Sequence, residues 1–304
     1  MAILSSSLFP IEHRRIILYN LTKLMANDLG KLFSDDRRAQ FAAFLLIIVT
    51  FWWIILHPFT TSQAESLVFK KYIWGSFYQV IALWGAVCGL LISQYWGGGK
   101  SVFGRSVMAF SLGLLFQVFG QSVYSYYNLY AQIQAPYPSV GDIGFFGSIP
   151  PYIYGAYLLA RVSGIKVSLK SFGKKIQAFL IPLVALVLSY IIFLKGYQFD
   201  FSQPIKIFLD FGYPLGQAIY VSIAILTLLL SREILGGIMR GPVILFLSAL
   251  IFQYICDYNF LYQASRGTWL VGGYGDYLYA SSYFLMTTAL LYVGVTFSKI
   301  RNVS

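Results

Sequence analysis

The 304-residue sequence has very little charge: only 11% of its residues are Asp, Glu, Lys or Arg, against about 25% in ordinary soluble domains. So few charges cannot cover the surface of a water-soluble globule, and 58% of the residues are apolar. This composition excludes a disordered chain, a collagen and a typical cytosolic enzyme. The sequence therefore indicates an all-α, polytopic membrane helix bundle.

Cysteine and histidine are also scarce. Cys88 and Cys256 lie in apolar runs, where a thiol behaves as a small hydrophobe, so no disulfide framework is expected. His13 and His57 are too few for a bis-histidine haem or a histidine-rich metal site. The sequence has no phosphate-binding loop, dinucleotide fingerprint or hydrolytic Ser/His pair. We therefore expect no enzymatic activity, no metal and no cofactor.

Eight segments are apolar enough to cross a bilayer, which takes about 20 residues of helix. These predicted spans are Gln40 to His57, Trp74 to Tyr95, Arg105 to Tyr127, Ile143 to Ala160, Ile176 to Leu194, Phe208 to Leu230, Pro242 to Tyr262 and Tyr277 to Phe297. The fourth and sixth contain prolines, and Pro150, Pro151 and Pro214 mark places where those helices can break or kink.

Lysine and arginine divide unequally between the two faces that eight spans create. Of the 22 Lys and Arg residues, 17 fall in the two terminal tails and in the loops after spans 2, 4 and 6. Because basic loops stay in the cytoplasm, both termini are expected on the cytoplasmic side of the cell (inner) membrane. The net charge of +11 then faces anionic lipid and does not indicate a nucleic-acid partner.

The first 38 residues are predicted to form a cytoplasmic, amphipathic segment. Apolar residues recur at helical spacing between Ile17 and Phe33, with charged residues between them. Such a helix lies either in the membrane interface or against the protein's own loops. Only the first alternative predicts that the isolated segment becomes helical on anionic vesicles.

An internal repeat is predicted from weak matches that share one order and an offset of 134 to 138 residues. The matching segments are Ala39 to Leu45 with Ile176 to Leu180, Leu91 to Gly99 with Leu229 to Gly237, Leu114 to Phe119 with Leu250 to Ile255, Tyr124 to Tyr130 with Asp257 to Tyr262, and Tyr137 to Asp142 with Gly272 to Asp276. Four spans separate each pair, so the halves are parallel. The expected architecture is 4 + 4 helices, with repeats over residues 39–172 and 173–298 and a tail over 299–304. Duplication either created a cavity at the repeat interface or built a larger bundle.

Three aspartates are predicted to open helices: Asp142 at span 4, Asp210 at span 6 and Asp276 at span 8. Aspartate at a helix start accepts backbone N–H bonds and complements the positive helix end. Capping is therefore one expected role for these three acids.

Asp257 differs because it lies inside span 7, where an acid is costly and usually faces the protein interior or a wet cavity. Capping does not explain its position. It is expected to pair with Arg266 or Lys206, to hydrogen-bond with tyrosines, or to bind a ligand or cation from outside.

Tyrosines concentrate on the same outer face as these acids. An aromatic belt is one explanation, although a belt alone would populate both faces. The other is an outward-open site for an unknown small molecule. Its predicted ligand-binding residues are Asp142, Asp210, Asp257, Asp276, Tyr127, Tyr213, Tyr258, Tyr262 and Arg266.

Three motifs in the sequence resemble a known family. P-S-V-G-D runs from Pro138 to Asp142, F-G-Y-P-L-G-Q from Phe211 to Gln217, and a longer motif holds Asp257, Tyr262, Gln263, Gly267, Trp269, Gly272 and Asp276. Together they resemble the multi-span membrane domain that precedes diguanylate-cyclase and phosphodiesterase domains in bacterial signalling proteins. The resemblance covers residues 75–297, although Gln217 stands where the family has an acid.

The resemblance implies an eight-helix sensor domain with a cytoplasmic C-terminus. Since span 8 ends seven residues before the end of the sequence, output is expected through a separate protein partner at the cytoplasmic face or within the membrane. Two alternatives stay open: a small transporter or channel with a site at the repeat interface, and an accessory subunit of a larger membrane complex.

Overall fold

The structure, a computed structural model, describes residues 27–59, 64–133, 135–163, 172–231 and 239–301. Within these ranges the chain is helical and contains no β-strand. Residues 1–26 of the predicted amphipathic segment lie outside the described residues, as do Lys166, Lys170 and Arg232 of the basic loops.

Eleven helices make up the described ranges. They are α1 (27–35), α2 (Arg37–Leu56), α3 (Glu65–Phe77), α4 (Gln79–Tyr95), α5 (Val102–Ser125), α6 (Gly141–Gly147), α7 (Ile149–Val162), α8 (Phe172–Ser189), α9 (Pro204–Ser231), α10 (Arg240–Ser265) and α11 (Tyr274–Arg301). Short π-helical turns extend α5 through Tyr126–Ala131 and α8 through Leu194.

Seven continuous stretches in the described residues are long and apolar enough to cross a membrane. The fourth predicted span is not among them because it is not one helix: α6 ends at Gly147 and α7 starts at Ile149. Pro150 and Pro151 stand in the first turn of α7, where a missing N–H costs little. The fourth predicted segment is therefore interrupted beside Pro150 and Pro151, where the sequence predicts a break.

Two predicted spans begin earlier in the structure than expected. The second is preceded by α3, which starts at Glu65 and joins α4 through Tyr78. The sixth begins at Pro204, so the prediction that Asp210 opens a helix is wrong. Hydropathy marks the lipid-facing part of a helix, whereas hydrogen bonding continues the helix into polar sequence.

Six helical elements form a closed ring, in which α6 and α7 together count as one. The order around the ring is α4, α5, α6 with α7, α9, α10 and α11, and α11 packs on α4. Outside the ring, α2 packs on α3, α4 and α11, while α8 packs on α9. Helix α8 is the least enclosed, since only 11% of its most apolar stretch is buried.

The broken pair α6 and α7 runs antiparallel to α5. Near the end of α5, Tyr124 lies against Gly141 of α6. Near its start, Ser106 donates a 2.8 Å hydrogen bond from Oγ to the backbone oxygen of Gly155 in α7. The contacts thus cover about 27 Å of α5 at 1.5 Å per residue.

Aromatic rings meet at the centre of the ring of helices. Phe110 of α5 and Phe246 of α10 are fully buried and stack with their centroids 4.8 Å apart. Their positions are 136 residues apart, within the offset of the predicted repeat.

Helix α1 packs on α11. Leu32 is fully buried, and Phe33 stacks on Phe284 with centroids 6.0 Å apart. The Tyr292 hydroxyl and the Lys299 ammonium both donate to the carboxylate of Asp28, at 2.8 and 3.1 Å. Over residues 27–35, this part of the N-terminal segment lies against the protein itself.

Acid is expected to loosen α1 from α11. Burial works to raise the pKa of Asp28, but the bonds from Tyr292 and Lys299 outweigh it, and the pKa falls below its ordinary value of 3.8. The stabilising contribution is therefore complete above about pH 4 and is lost as the pH falls through the lowered value. A spin label on Ser34→Cys should be immobile at neutral pH and become mobile below pH 4.

The matched controls for this prediction are Asp28→Asn and Asp35→Asn. The first should make the label more mobile at neutral pH. The second should not, because among the described residues the Asp35 carboxylate accepts its hydrogen bond from the neighbouring Ser34 hydroxyl and not from α11. A label whose mobility is independent of both pH and Asp28 contradicts the predicted role of this carboxylate.

Candidate functional site

Four aspartates that bind tyrosine hydroxyls lie toward one end of the bundle, which we call the tyrosine-rich end. At this end α2, α5, α8 and α10 finish, and α3, α6, α9 and α11 begin. Each carboxylate accepts a hydrogen bond from at least one tyrosine on another element. The four acids are Asp142, Asp210, Asp257 and Asp276.

Asp142 holds the start of α6 and ties it to α9. The Ser139 N–H donates to Asp142 Oδ2 at 2.7 Å, and the Gly141 N–H donates to Ser139 Oγ at 3.1 Å. The two bonds resemble a capping box, except that the serine oxygen accepts from Gly141 and not from Asp142. The other oxygen, Oδ1, accepts a 2.7 Å bond from the Tyr213 hydroxyl.

Asp276 likewise holds the start of α11 and ties it to Tyr78, which lies between α3 and α4. The Gly272 N–H donates to Asp276 Oδ2 at 2.7 Å, and the Tyr78 hydroxyl donates to Oδ1 at 3.3 Å. Gly272 has a φ of 73°, a left-handed conformation that favours glycine. Its carbonyl accepts a 3.1 Å bond from the Trp53 indole N–H, so the loop before α11 is held on both sides.

The Tyr213–Asp142 and Tyr78–Asp276 pairs are related by the offset of the predicted repeat. Asp142 and Asp276 are 134 positions apart, and Tyr78 and Tyr213 are 135 positions apart. In each pair the tyrosine comes from one half and the aspartate from the other. Each bond therefore joins the halves at the tyrosine-rich end.

Removing either hydroxyl is expected to destabilise the protein by a similar amount. Tyr213→Phe and Tyr78→Phe each delete a donor to a buried carboxylate, which costs about 1.5 to 3 kcal/mol. Denaturant unfolding in detergent micelles measures the loss. Tyr130→Phe is the control and should change little, because Tyr130 is 79% exposed. An effect no larger than that of Tyr130→Phe would contradict the assigned role of these bonds.

Asp257 is also buried, but it lies farther along the bundle, eight residues before the end of α10. The Tyr220 hydroxyl donates to its Oδ2 at 2.8 Å, and the Tyr279 hydroxyl and Gln253 amide donate to Oδ1 at 2.9 Å. The Ser282 hydroxyl in turn donates to Gln253 Oε1 at 2.7 Å. Of the roles expected for Asp257, the structure therefore contains the hydrogen bonds with tyrosines.

The expected ion pairs of Asp257 with Arg266 or Lys206 are wrong. The Arg266 guanidinium lies over the ring of Tyr262, 4.1 Å from its centroid, at the end of α10. Lys206 Nζ is instead 3.7 Å from the Asp210 carboxylate, one helical turn away on α9. Both cations thus have other partners at the tyrosine-rich end of the bundle.

Asp210 lies two turns inside α9, so it does not cap that helix. It accepts bonds of 2.8 Å from Tyr137 and 2.7 Å from Tyr197, which belong to the loops before α6 and α9. The bond to Asp210, together with burial, raises the pKa of Tyr197 to about 12. Burial and then the same carboxylate raise the pKa of Tyr137 above its ordinary value.

Two other predicted site tyrosines make contacts of a different kind. The Tyr258 hydroxyl contacts that of Ser189 and donates to the backbone oxygen of Pro214 at 3.2 Å. Tyr127 packs against Tyr126 in the π-helical turn after α5. The nine predicted residues therefore occupy several places at one end, and none of them is among the residues that line the cleft described next.

A cleft of about 400 Å³ opens at the tyrosine-rich end. It lies between the end of α2, the end of α10 and the loop into α11. Its lining residues are His57, Pro58, Gln263, Thr268, Leu270, Gly273 and Tyr274. The Gln263 amide donates to Asn259 Oδ1 at 2.8 Å and to the Tyr274 hydroxyl at 2.6 Å, which fixes the polar wall of the cleft.

Sequence reasoning did not find this cleft. Gln263 and Gly272 are part of the third motif, but no spacing links them to His57, which comes from another helix. The Trp53 ring is the connection: it lies 4.3 Å from the His57 ring, and its indole bonds Gly272. Only the folded chain brings these elements together.

The cleft offers neutral polar groups and apolar surface. Among the residues that the structure describes, the lining holds no carboxylate, lysine or arginine, so it is suited to an uncharged molecule with hydrogen-bonding groups. In the ranges that the structure describes, no three His, Cys, Asp or Glu side chains are grouped as metal ligands would be.

No protein-family model, curated protein or solved structure matches this chain. The chain is thus described by its own geometry: a helical, membrane-type bundle with paired Tyr/Asp bonds and a cleft at one end.

Proposed function

We propose that this protein is a non-enzymatic membrane receptor of the sensor type. It binds a small uncharged molecule at the tyrosine-rich end and acts on a protein partner at the opposite end. The observation that carries this proposal is the cleft of about 400 Å³, because small-molecule sites occupy about 300 to 1,000 Å³.

The receptor crosses the membrane eight times in this proposal, with α6 and α7 together forming the fourth crossing. Their antiparallel contact along about 27 Å of α5 supports it, since the hydrocarbon core is about 30 Å thick. An even number of crossings places both termini on the same side, and the positive-inside rule assigns that side to the cytoplasm. The tyrosine-rich end then faces outward.

The opposite end supports a cytoplasmic assignment through its basic residues. Those that the structure describes there are Lys31, Arg37, Arg38, Lys100, Arg105, Arg161, Lys174, Lys175, Arg240, Lys299 and Arg301. Such an end attracts anionic lipid and suits an acidic surface on a partner.

A parallel 4 + 4 repeat is supported by pairs of equivalent bonds. Gln117 donates its amide to Ser148 Oγ at 2.8 Å, whereas Gln253 accepts from Ser282 Oγ at 2.7 Å. Gln117 and Gln253 are 136 positions apart, and the two serines 134. Phe110 and Phe246 are separated by a similar number of positions, as are Asp142 and Asp276.

The cleft is joined to the repeat interface through one loop. Gly273 lines the cleft, and its neighbour Gly272 donates to Asp276, which accepts from Tyr78 of the other half. A ligand that moves this loop therefore changes a bond between the halves. This gives the receptor a physical route from ligand to bundle.

Filling the cleft is expected to abolish ligand binding. Leu270 is 45% exposed in the cleft wall, so Leu270→Trp adds volume there without displacing a buried side chain. In a thermal-shift screen of uncharged polar fragments, some should raise the melting temperature of the wild type and leave Leu270→Trp unchanged. A fragment at 100 times its Kd contributes about 2.7 kcal/mol.

The control is Ile133→Trp, which changes a 53% exposed residue at the same end but outside the cleft. It should respond like the wild type. Fragments that stabilise Leu270→Trp equally, or a complete screen without a stabilising fragment, would overturn the receptor proposal.

A small transporter or channel is the second candidate. The broken fourth helix with Pro150 and Pro151 favours it, because broken helices line substrate sites in transporters. Proteoliposomes under gradients of Na⁺, K⁺ and H⁺ test it directly. Flux that exceeds protein-free vesicles favours transport, and its absence under all three gradients counts against it.

A further inference from the structure

We infer that Asp257 is a proton-binding site in the interior of the bundle. The inference does not depend on the cleft or on the proposed receptor function. It rests on the chemistry of the groups that surround this carboxylate.

Asp257 lies about 12 Å inside the end of α10 and is 7% exposed. Its described partners are two tyrosine hydroxyls and one amide, and no lysine or arginine is among them. An ionised carboxylate in such surroundings has donors but no compensating positive charge. Uptake of a proton removes the charge, whose burial is costly.

The partners of Asp257 are able to accept as well as donate. When a proton is transferred from hydronium to a carboxylate oxygen, one O–H bond forms and water is released. The new carboxyl O–H can then donate to the Tyr220 or Tyr279 oxygen after rotation of that hydroxyl. Both protonation states are thus hydrogen-bonded without moving a helix.

Asp142 and Asp276 differ from Asp257 in their partners. Each accepts from a backbone N–H, that of Ser139 or Gly272, in addition to one tyrosine hydroxyl. The described partners of Asp257 are all side chains, and two of them are tyrosine hydroxyls that can accept as well as donate.

Tyr152 provides a second observation, because a buried hydroxyl beside the Asp257 cluster lacks a hydrogen-bond partner among the described residues. Its ring packs against that of Tyr220 with centroids 6.0 Å apart, and its hydroxyl is near enough to Asp257 to feel the carboxylate charge. The hydroxyl is fully buried and has no hydrogen-bond partner. A buried oxygen of this kind is free to accept a hydrogen bond from a carboxyl O–H or from a water molecule in the cluster.

The titratable groups that face Asp257 come from every helix packed around it. They are Tyr152 on α7, Tyr220 on α9, Cys256 and Tyr258 on α10, and Tyr279 and Tyr283 on α11. All are uncharged at neutral pH. Proton uptake in this cluster is therefore assigned to Asp257.

Infrared difference spectroscopy of the full chain in lipid nanodiscs tests the assignment. Between about pH 9 and pH 5, above the range in which exposed Asp and Glu side chains titrate, the wild type should gain a carbonyl band of a protonated carboxylic acid that shifts in D₂O. This band should be absent from Asp257→Asn. It should persist in Asp142→Asn, the control for loss of another buried aspartate.

Tyr220→Phe keeps the test decisive if Asp257→Asn does not fold. Loss of one hydrogen bond to the carboxyl group should move the titrating band to higher frequency. The inference is overturned if the wild type shows no such band, if the band survives in Asp257→Asn, or if Tyr220→Phe leaves its frequency unchanged. Failure of the fragment screen would not affect any of these outcomes.

Discussion

Phe110→Ala is expected to lower the free energy of unfolding by about 3 to 5 kcal/mol, the range for deleting a buried aromatic side chain. Phe110 is fully buried, stacks on Phe246 and touches Gly155 of α7. Truncation opens a cavity where three helices meet, and the neighbouring backbone is too closely packed to fill it. Denaturant unfolding in detergent micelles measures the loss.

Two comparisons test the reason for that loss. Phe119→Ala, at a 44% exposed residue of the same helix, should cost much less. In the double variant Phe110→Ala with Phe246→Ala, the ring contact of about 0.5 to 1.5 kcal/mol is lost once and not twice. Additive losses, or a Phe110→Ala effect as small as that of Phe119→Ala, would show that the two rings do not form a common core.

Gly144→Leu is expected to prevent α6 from packing on α5 and to cost about 3 kcal/mol or more, at the upper end of overpacking effects. A Cβ atom at Gly144 would overlap the backbone nitrogen of Gly120 and lie 2.6 Å from the backbone oxygen of Phe116. Backbone atoms of a helix cannot rotate away. The yield of monodisperse protein and its unfolding free energy measure the effect.

Two glycine controls separate this clash from a general effect of substitution. At Gly147 a Cβ would meet only the Phe116 ring, at 3.0 Å, so Gly147→Ala should cost less than Gly144→Ala. At Gly173 no atom lies within 4 Å, so Gly173→Ala should be neutral or slightly stabilising. Equal losses for Gly144→Ala and Gly147→Ala would contradict the close approach of α6 and α5.

Much of the helical framework follows from hydropathy. Long apolar runs predict where helices cross, because backbone groups in lipid must bond within their own segment. Pro150 and Pro151 predict the break before α7. The offset that aligns Asp142 with Asp276 in the sequence also relates their bonds to Tyr213 and Tyr78 in the structure.

The site is less accessible to sequence reasoning, because its contacts join distant segments. The Tyr220 and Tyr279 partners of Asp257 are on other helices, and nothing in the spacing distinguishes them from belt tyrosines. Asp210 was expected to cap because Lys206 and the acid itself interrupt the apolar run, yet α9 continues back to Pro204. Hydropathy marks where lipid begins, and it does not mark where a helix begins.

Membrane topology tests the central claim, an eight-crossing bundle with its tyrosine-rich end outside. Cys88 and Cys256 are buried, so a membrane-impermeant maleimide should report on single cysteines introduced at Ala135, Gly173, Gln198 and Arg301. The account predicts labelling at Ala135 and Gln198 in intact cells, and at Gly173 and Arg301 only after permeabilisation. Labelling of Ala135 and Gly173 from the same side would show that α6 and α7 do not cross, and would contradict it.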